Sequence, residues 1–178
     1  GRGQPTVYRG DYLGASRFTL GGIGAGSIQI NGRAQREIWQ IFNNYTQSDV
    51  PNSFFAVRAQ AEHAAPVVRA LQTVAEGPFA AMQSLSFSGE YPLGWYTFEE
   101  PALPVQVRME VFSPLVPLNT KDSSFPCAIF NLTARDAGPG PVSVSFLATQ
   151  RNPIGLPKGP CGGNTNRVTH GPEGTWLH

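Results

Sequence analysis

The sequence predicts an all-β fold: an antiparallel β-sandwich, incomplete at its C-terminal end. Three observations predict it. Charged residues make up only 14% of the chain, about half the usual share. The 20 glycines and 16 prolines call for frequent turns, and Phe, the main aromatic with 11 copies, fits strands better than helices. Short runs of alternating apolar and polar residues recur between turn signals, at a spacing that suits a sandwich.

The elements follow in order. Residues 1–19 are polar and irregular and read as an N-terminal arm, with 20–151 as the sandwich and 152–178 as a Gly/Pro/Asn-rich loop or tail. Gly24–Asn31 is the first clear strand, with Ile28 and Ile30 on one face. Asn31-Gly32 is a turn signal, since both residues tolerate positive φ. Arg36–Asn43 reads as the returning strand, with Glu37, Trp39 and Ile41 on one face and Ile38, Gln40 and Phe42 on the other. Arg33–Gln35 loosens the hairpin or adds a bulge. Beyond the polar loop Asn44–Asn52, strands are expected at Ser53–Gln60, near Val67–Leu71, at Met82–Phe87 and at Gly94–Glu99. The cleanest alternation sets Val105, Val107, Met109 and Val111 against Gln106, Arg108 and Glu110, a strand with one dry and one wet face. Cys127–Arg135 is nearly continuous apolar sequence and reads as a central strand. Val142–Ala148 alternates again, after the turn Gly138-Pro139-Gly140-Pro141.

Bulk properties exclude several function classes. The net charge of +1 and the lack of a Lys/Arg stripe argue against nucleic-acid binding. No apolar run approaches the ~20 residues that span a bilayer. Gly1-Arg2-Gly3-Gln4-Pro5 is not followed by the hydrophobic region of a signal peptide, and the missing initiator Met reads as a fragment or a processed form. Cys127 sits in an apolar run and reads as a buried thiol, whereas Cys161 sits in a Gly/Pro loop. Sequence alone leaves open whether the two pair. No metal site and no cofactor are expected.

The glycine run Gly21-Gly22-Ile23-Gly24-Ala25-Gly26-Ser27 fails both nucleotide-loop patterns. Ser27 stands where a Rossmann fingerprint needs its third glycine, and no Lys accompanies Ser27 as a P-loop requires. Glycines in such a strand instead let another backbone or a ring come close. A glycosidase needs two carboxyl groups about 5–5.5 Å or ~6.5–9.5 Å apart. Glu99 and Glu100 are neighbours in a strand and point to opposite faces, while Glu37, Glu90 and Asp122 are scattered. His63, His170 and His178 fit no triad context. Trp39, Trp95, Tyr91 and Tyr96 are candidates for a sugar platform, with core packing as the plainer reading. Two sequons, at Asn44 and Asn131, read as chance; the second falls in the expected central strand.

The run Thr19-Leu20-Gly21-Gly22-Ile23-Gly24-Ala25-Gly26-Ser27-Ile28, then Gly32-Arg33, then Trp39-Gln40-Ile41-Phe42-Asn43, resembles the opening of glycoside hydrolase family 116, the bile-acid β-glucosidase or non-lysosomal glucosylceramidase type. Pro51–Val57, Gly89-Glu90-Tyr91-Pro92, Leu103-Pro104-Val105 and Glu110–Asn119 resemble later family blocks in the same order. The resemblance implies a supersandwich-like N-terminal domain packed on a C-terminal (α/α)6 catalytic domain of the same polypeptide. That domain carries a Glu nucleophile and an Asp acid/base and cleaves β-glucosides with retention. None of the matching catalytic positions lies in this chain, so no catalytic residue is carried over. The resemblance therefore implies a non-catalytic support for a β-glucosidase-like enzyme, meeting its β-glucoside substrate only through the other domain. Arg36, Glu37 and Trp39 are the candidates for a domain interface or the rim of the sugar site. A stand-alone carbohydrate-binding or structural sandwich is the competing reading.

Overall fold

A computed structural model describes residues 5–41, 51–136, 138–152 and 163–178. Within them the chain forms strands β1 (Val7–Arg9), β2 (Arg17–Leu20), β3 (Ser27–Asn31), β4 (Arg36–Gln40), β5 (Phe55–Ala61), β6 (Val67–Ala70), β7 (Ser84–Glu90), β8 (Leu93–Glu99), β9 (Val105–Phe112), β10 (Ile129–Asp136), β11 (Val142–Ala148), β12 (Val168–Gly171) and β13 (Gly174–Leu177). The helical pieces are a 3-10 turn at Gly10–Ala15 and the one-turn helix α1 (Thr120–Ser123). Asn119 caps α1 by accepting the Asp122 N–H through its side chain.

The strands pair antiparallel throughout. One sheet has the order β1-β7-β8-β9-β10. The remaining strands form two three-stranded sheets, β2-β3-β4 and β11-β5-β6, and the hairpin β12-β13. Buried side chains from the five-stranded sheet and both three-stranded sheets share one core. It holds Phe18, Leu20, Ile28 and Ile30 from β2-β3, Val57 and Ala59 from β5, and Phe87, Tyr96, Phe98, Val107, Met109 and Val111 from the large sheet. This is sandwich-like packing, with inner faces meeting across the core.

Tyr96 ties these layers together. Its ring lies 4.7 Å from that of Phe87, and its hydroxyl donates to the Asn31 carbonyl at 2.9 Å. Burial pushes the phenol pKa up, so the hydroxyl stays a donor.

Several expectations are corrected. Secondary structure reaches into the stretch expected to be irregular: β1 pairs with β7, the 3-10 turn buries Leu13, and β2 starts at Arg17. Leu13 and Phe18 supply the apolar anchors that a polar reading of this stretch overlooks. The predicted tail likewise contains β12 and β13 within 168–177. Cys127–Arg135 was expected at the centre of a sheet, but β10 is an edge strand. Its sequence alternates after all: Phe130, Leu132 and Ala134 pack against the core, while Asn131 is exposed and donates to Glu110. The hairpin after β3 also differs in detail. Positive φ falls on Ala34, at 66°. Gly32 is needed because a Cβ there would lie 2.4 Å from the Leu13 carbonyl oxygen. Asn31 closes this turn by accepting the N–H groups of Arg33 and Gln35 through its side chain.

Candidate functional site

The glycine run forms a loop between β2 and β3 that the surrounding backbone approaches closely. A Cβ on Gly22 would lie 2.3 Å from the Phe125 carbonyl oxygen, and one on Gly26 would lie 2.7 Å from that of Gln40. Hydrogen bonds hold the loop in place. The Gly21 N–H donates to Ser113 Oγ at 2.7 Å, Ser113 Oγ donates to the Cys127 carbonyl at 2.9 Å, and the Ile23 N–H donates to the Ser123 carbonyl at 2.9 Å. The motif thus serves backbone packing, as its failure to match nucleotide loops suggested.

This loop forms one wall of a cleft of about 440 Å³. Leu20, Ile28, Trp39, Ile41 and Phe130 make it largely apolar, and Arg36 and Gln150 supply polar groups. Trp39 reaches the cleft through a bulge in β4. Gln29 pairs with Glu37 but Ser27 pairs with Gln40, so β4 holds one extra residue opposite Ile28. Ile38 takes up the distortion at φ 53°, a costly conformation for a β-branched side chain. Strict alternation would have put Arg36 and Trp39 on opposite faces. The bulge brings both to one cleft.

Arg36 straps three segments together. Its Nε donates to the Ser53 carbonyl at 3.1 Å, one terminal nitrogen to the Thr149 carbonyl at 2.7 Å, and the other to Gln150 Oε1 at 3.1 Å. The guanidinium carbon lies 4.7 Å from the centre of the Phe55 ring and 5.8 Å from that of Phe130, which favours the cation electrostatically. Burial lowers its pKa to about 10, so the group stays charged at neutral pH. The four ion pairs among the described residues are Arg9–Glu99, Arg17–Glu37, His63–Glu62 and Arg69–Glu100. Arg36 belongs to none of them.

Glu37 does not line this cleft, although it shares a second groove with Arg36 and Ser53. It pairs with Arg17 at 2.8 Å and accepts from Asn31 Nδ2 at 3.2 Å, away from the cleft of Arg36 and Trp39. The expected trio therefore divides into two residues in the cleft and one in a structural network. Sequence reasoning missed Asn31, the hub of that network, whose Asn-Gly context suggested only a turn.

Three further carboxylates are also engaged. Glu99 accepts from Arg9 and Ser84, Glu100 accepts from Arg69 and the Ala102 N–H, and Glu110 accepts from Trp95 and Asn131. Glu99, the last residue of β8, and Glu100, just beyond it, thus serve different partners. Among the described residues there is no group of three or more His, Cys, Asp or Glu side chains placed to hold a metal. No helix there is long and apolar enough to cross a membrane. Cys127 is a partly exposed free thiol on the cleft wall, not the buried group expected. Cys161, Phe42, Asn43 and the Asn44 sequon lie outside the described residues.

Comparison with known families adds one finding. A family model described as "beta-glucosidase 2, glycosyl-hydrolase family 116 N-term" matches residues 18–177.

Proposed function

The chain belongs to the N-terminal domain family of glycosyl-hydrolase family 116, and from this premise we propose that it is the non-catalytic support of a β-glucosidase-like enzyme. In this reading a C-terminal (α/α)6 domain of the same polypeptide carries the Glu nucleophile and the Asp acid/base. It cleaves β-glucosides with retention, with glucosylceramide as the type of substrate. Arg36 and Trp39 form the surface that meets that domain or the rim of its sugar site, and Glu37 steadies the strand that presents them. The family match carries the proposal, because it is to the N-terminal part of such an enzyme. The engagement of Glu37, Glu99, Glu100 and Glu110 in structural contacts supports it.

The test compares the full polypeptide with a version ending at His178 in hydrolysis of an aryl β-glucoside. Activity is expected only in the longer protein. Hydrolysis by the shorter one would overturn the proposal.

A second reading is favoured by one feature. Trp95, Arg108, Glu110, Asn131 and Thr133 line an outward groove of about 550 Å³ on the large sheet, where a ring beside polar groups suits a sugar. Glycan binding that is lost in Trp95→Ala, without loss of folding, would support a carbohydrate-binding role.

A further inference from the structure

We propose that the cleft in front of Arg36 receives one carboxylate side chain, carried on an apolar segment of the C-terminal catalytic domain. The inference rests on the reading above, that such a domain follows, and goes on to name the chemistry of the contact.

Among the described residues the charge on Arg36 has no ionic partner. A guanidinium has five N–H donors. Arg36 gives one each to Ser53, Thr149 and Gln150, which among the described residues leaves one on each terminal nitrogen. Two donors on a planar cation are what a carboxylate accepts in a two-pronged pair. The groups already bonded to Arg36 are neutral, and none of the described ion pairs includes it. A half-buried cation without an anion is costly to keep. Its carbonyl acceptors and the Phe55 and Phe130 rings hold it at the cleft, while the balancing charge remains to be supplied.

The walls specify the rest of the partner. Leu20, Ile28, Trp39, Ile41 and Phe130 surround the cation with apolar surface. Of these, Leu20, Ile28 and Trp39 are already buried, and Ile41 and the half-buried Phe130 are the apolar groups still open to water. An apolar segment bearing one Asp or Glu covers these two and neutralises the charge together. The close-packed glycine loop keeps this wall free of large side chains. The bulge at Ile38 adds Trp39 to the same surface at a cost in backbone strain.

The test is zero-length crosslinking of the full polypeptide. A water-soluble carbodiimide activates a carboxylate for attack by an amine and leaves no spacer, so it joins only pairs close enough for the amine to reach the carboxyl carbon. In Arg36→Lys the amine takes the place of the guanidinium. In Ala25→Lys it stands on the cleft wall with Arg36 intact, which covers the case where loss of the strap prevents folding. Both variants are expected to link to the same Asp or Glu beyond residue 178, identified by peptide mass spectrometry. Sodium chloride at 1 M, added before the reagent, should reduce the yield severalfold.

Links confined to residues 1–178, or no link at either position in a polypeptide that still hydrolyses a β-glucoside, would overturn this inference and leave the supporting role intact. A full polypeptide with no catalytic domain and no hydrolysis would overturn both.

Discussion

Strands β9 and β11 carry much the same sequence pattern and have different fates. Val105, Val107, Met109 and Val111 of β9 are all buried, and Val111 is 0% exposed. Val142 and Val144 of β11 alternate with serines just as regularly, yet they are only half-buried, and Phe146 and Leu147 are 38% and 44% exposed. The difference lies in what surrounds each strand. β9 is flanked by β8 and β10 and faces the shared core, whereas among the described residues β11 is an edge strand, paired with β5 alone. Alternation identifies the face that is fit for burial. It does not say whether anything covers that face.

This contrast can be broken or sharpened by mutation. The largest effect is expected at the centre. Tyr96→Ala should destabilise the chain by about 3–5 kcal/mol in urea denaturation, since it empties a fully buried ring site and strands the Asn31 carbonyl. A cost near that of an edge substitution would mean that the two regions do not differ as described.

The glycine loop comes next. Gly22→Ala should cost about 1–3 kcal/mol, because its Cβ meets the Phe125 carbonyl. Gly24→Ala has open space around it but a φ of 72°, and should cost about 1–2 kcal/mol. If Gly24→Ala proves the more damaging, backbone contact is not what the loop requires.

At the edge, Val144→Ala should cost only about 1 kcal/mol by chemical denaturation. A value as large as that for Tyr96→Ala would show β11 to be as well covered as β9.

The smallest effect is electrostatic. Burial alone would raise the Glu100 pKa, but hydrogen bonds from Arg69 and from backbone N–H groups outweigh it, so the net shift is downward. A lowered folded pKa gives stability that is present above the ordinary value near 4.5 and is lost as pH falls through the folded one. Arg69→Met should therefore lower stability by about 1 kcal/mol or less at pH 7. The gap to wild type should close toward pH 3, and a gap that stays constant would remove Glu100 from the account.

The strands were legible because each rests on local chemistry. The valines of β9 alternate between two prolines, and Ile28 and Ile30 mark the dry face of β3. The cleft was less legible. Arg36 and Trp39 attracted notice because a charged and a large aromatic residue sit so close together, but period-2 reasoning put Arg36 and Trp39 on opposite faces. Nothing local announces the one-residue bulge between Glu37 and Gln40, since it arises from how β4 must meet β3 while Gly26 lies against Gln40. Asn31 looked like a turn residue. Its side chain also donates to Glu37, and its carbonyl accepts from Tyr96, 65 positions away.

The sequence by itself determined the class of fold, the hairpin signals and the family, because period, turn chemistry and ordered motifs are properties of neighbouring residues. Tertiary structure alone decided which strands became edges, that Arg36 and Trp39 face one cleft, and that Arg36 is half-buried with neutral partners while Glu37 is paired. Those outcomes depend on contacts between segments far apart in the chain, such as Arg36 with Thr149, 113 positions on. Such contacts form only once whole sheets have packed and excluded water.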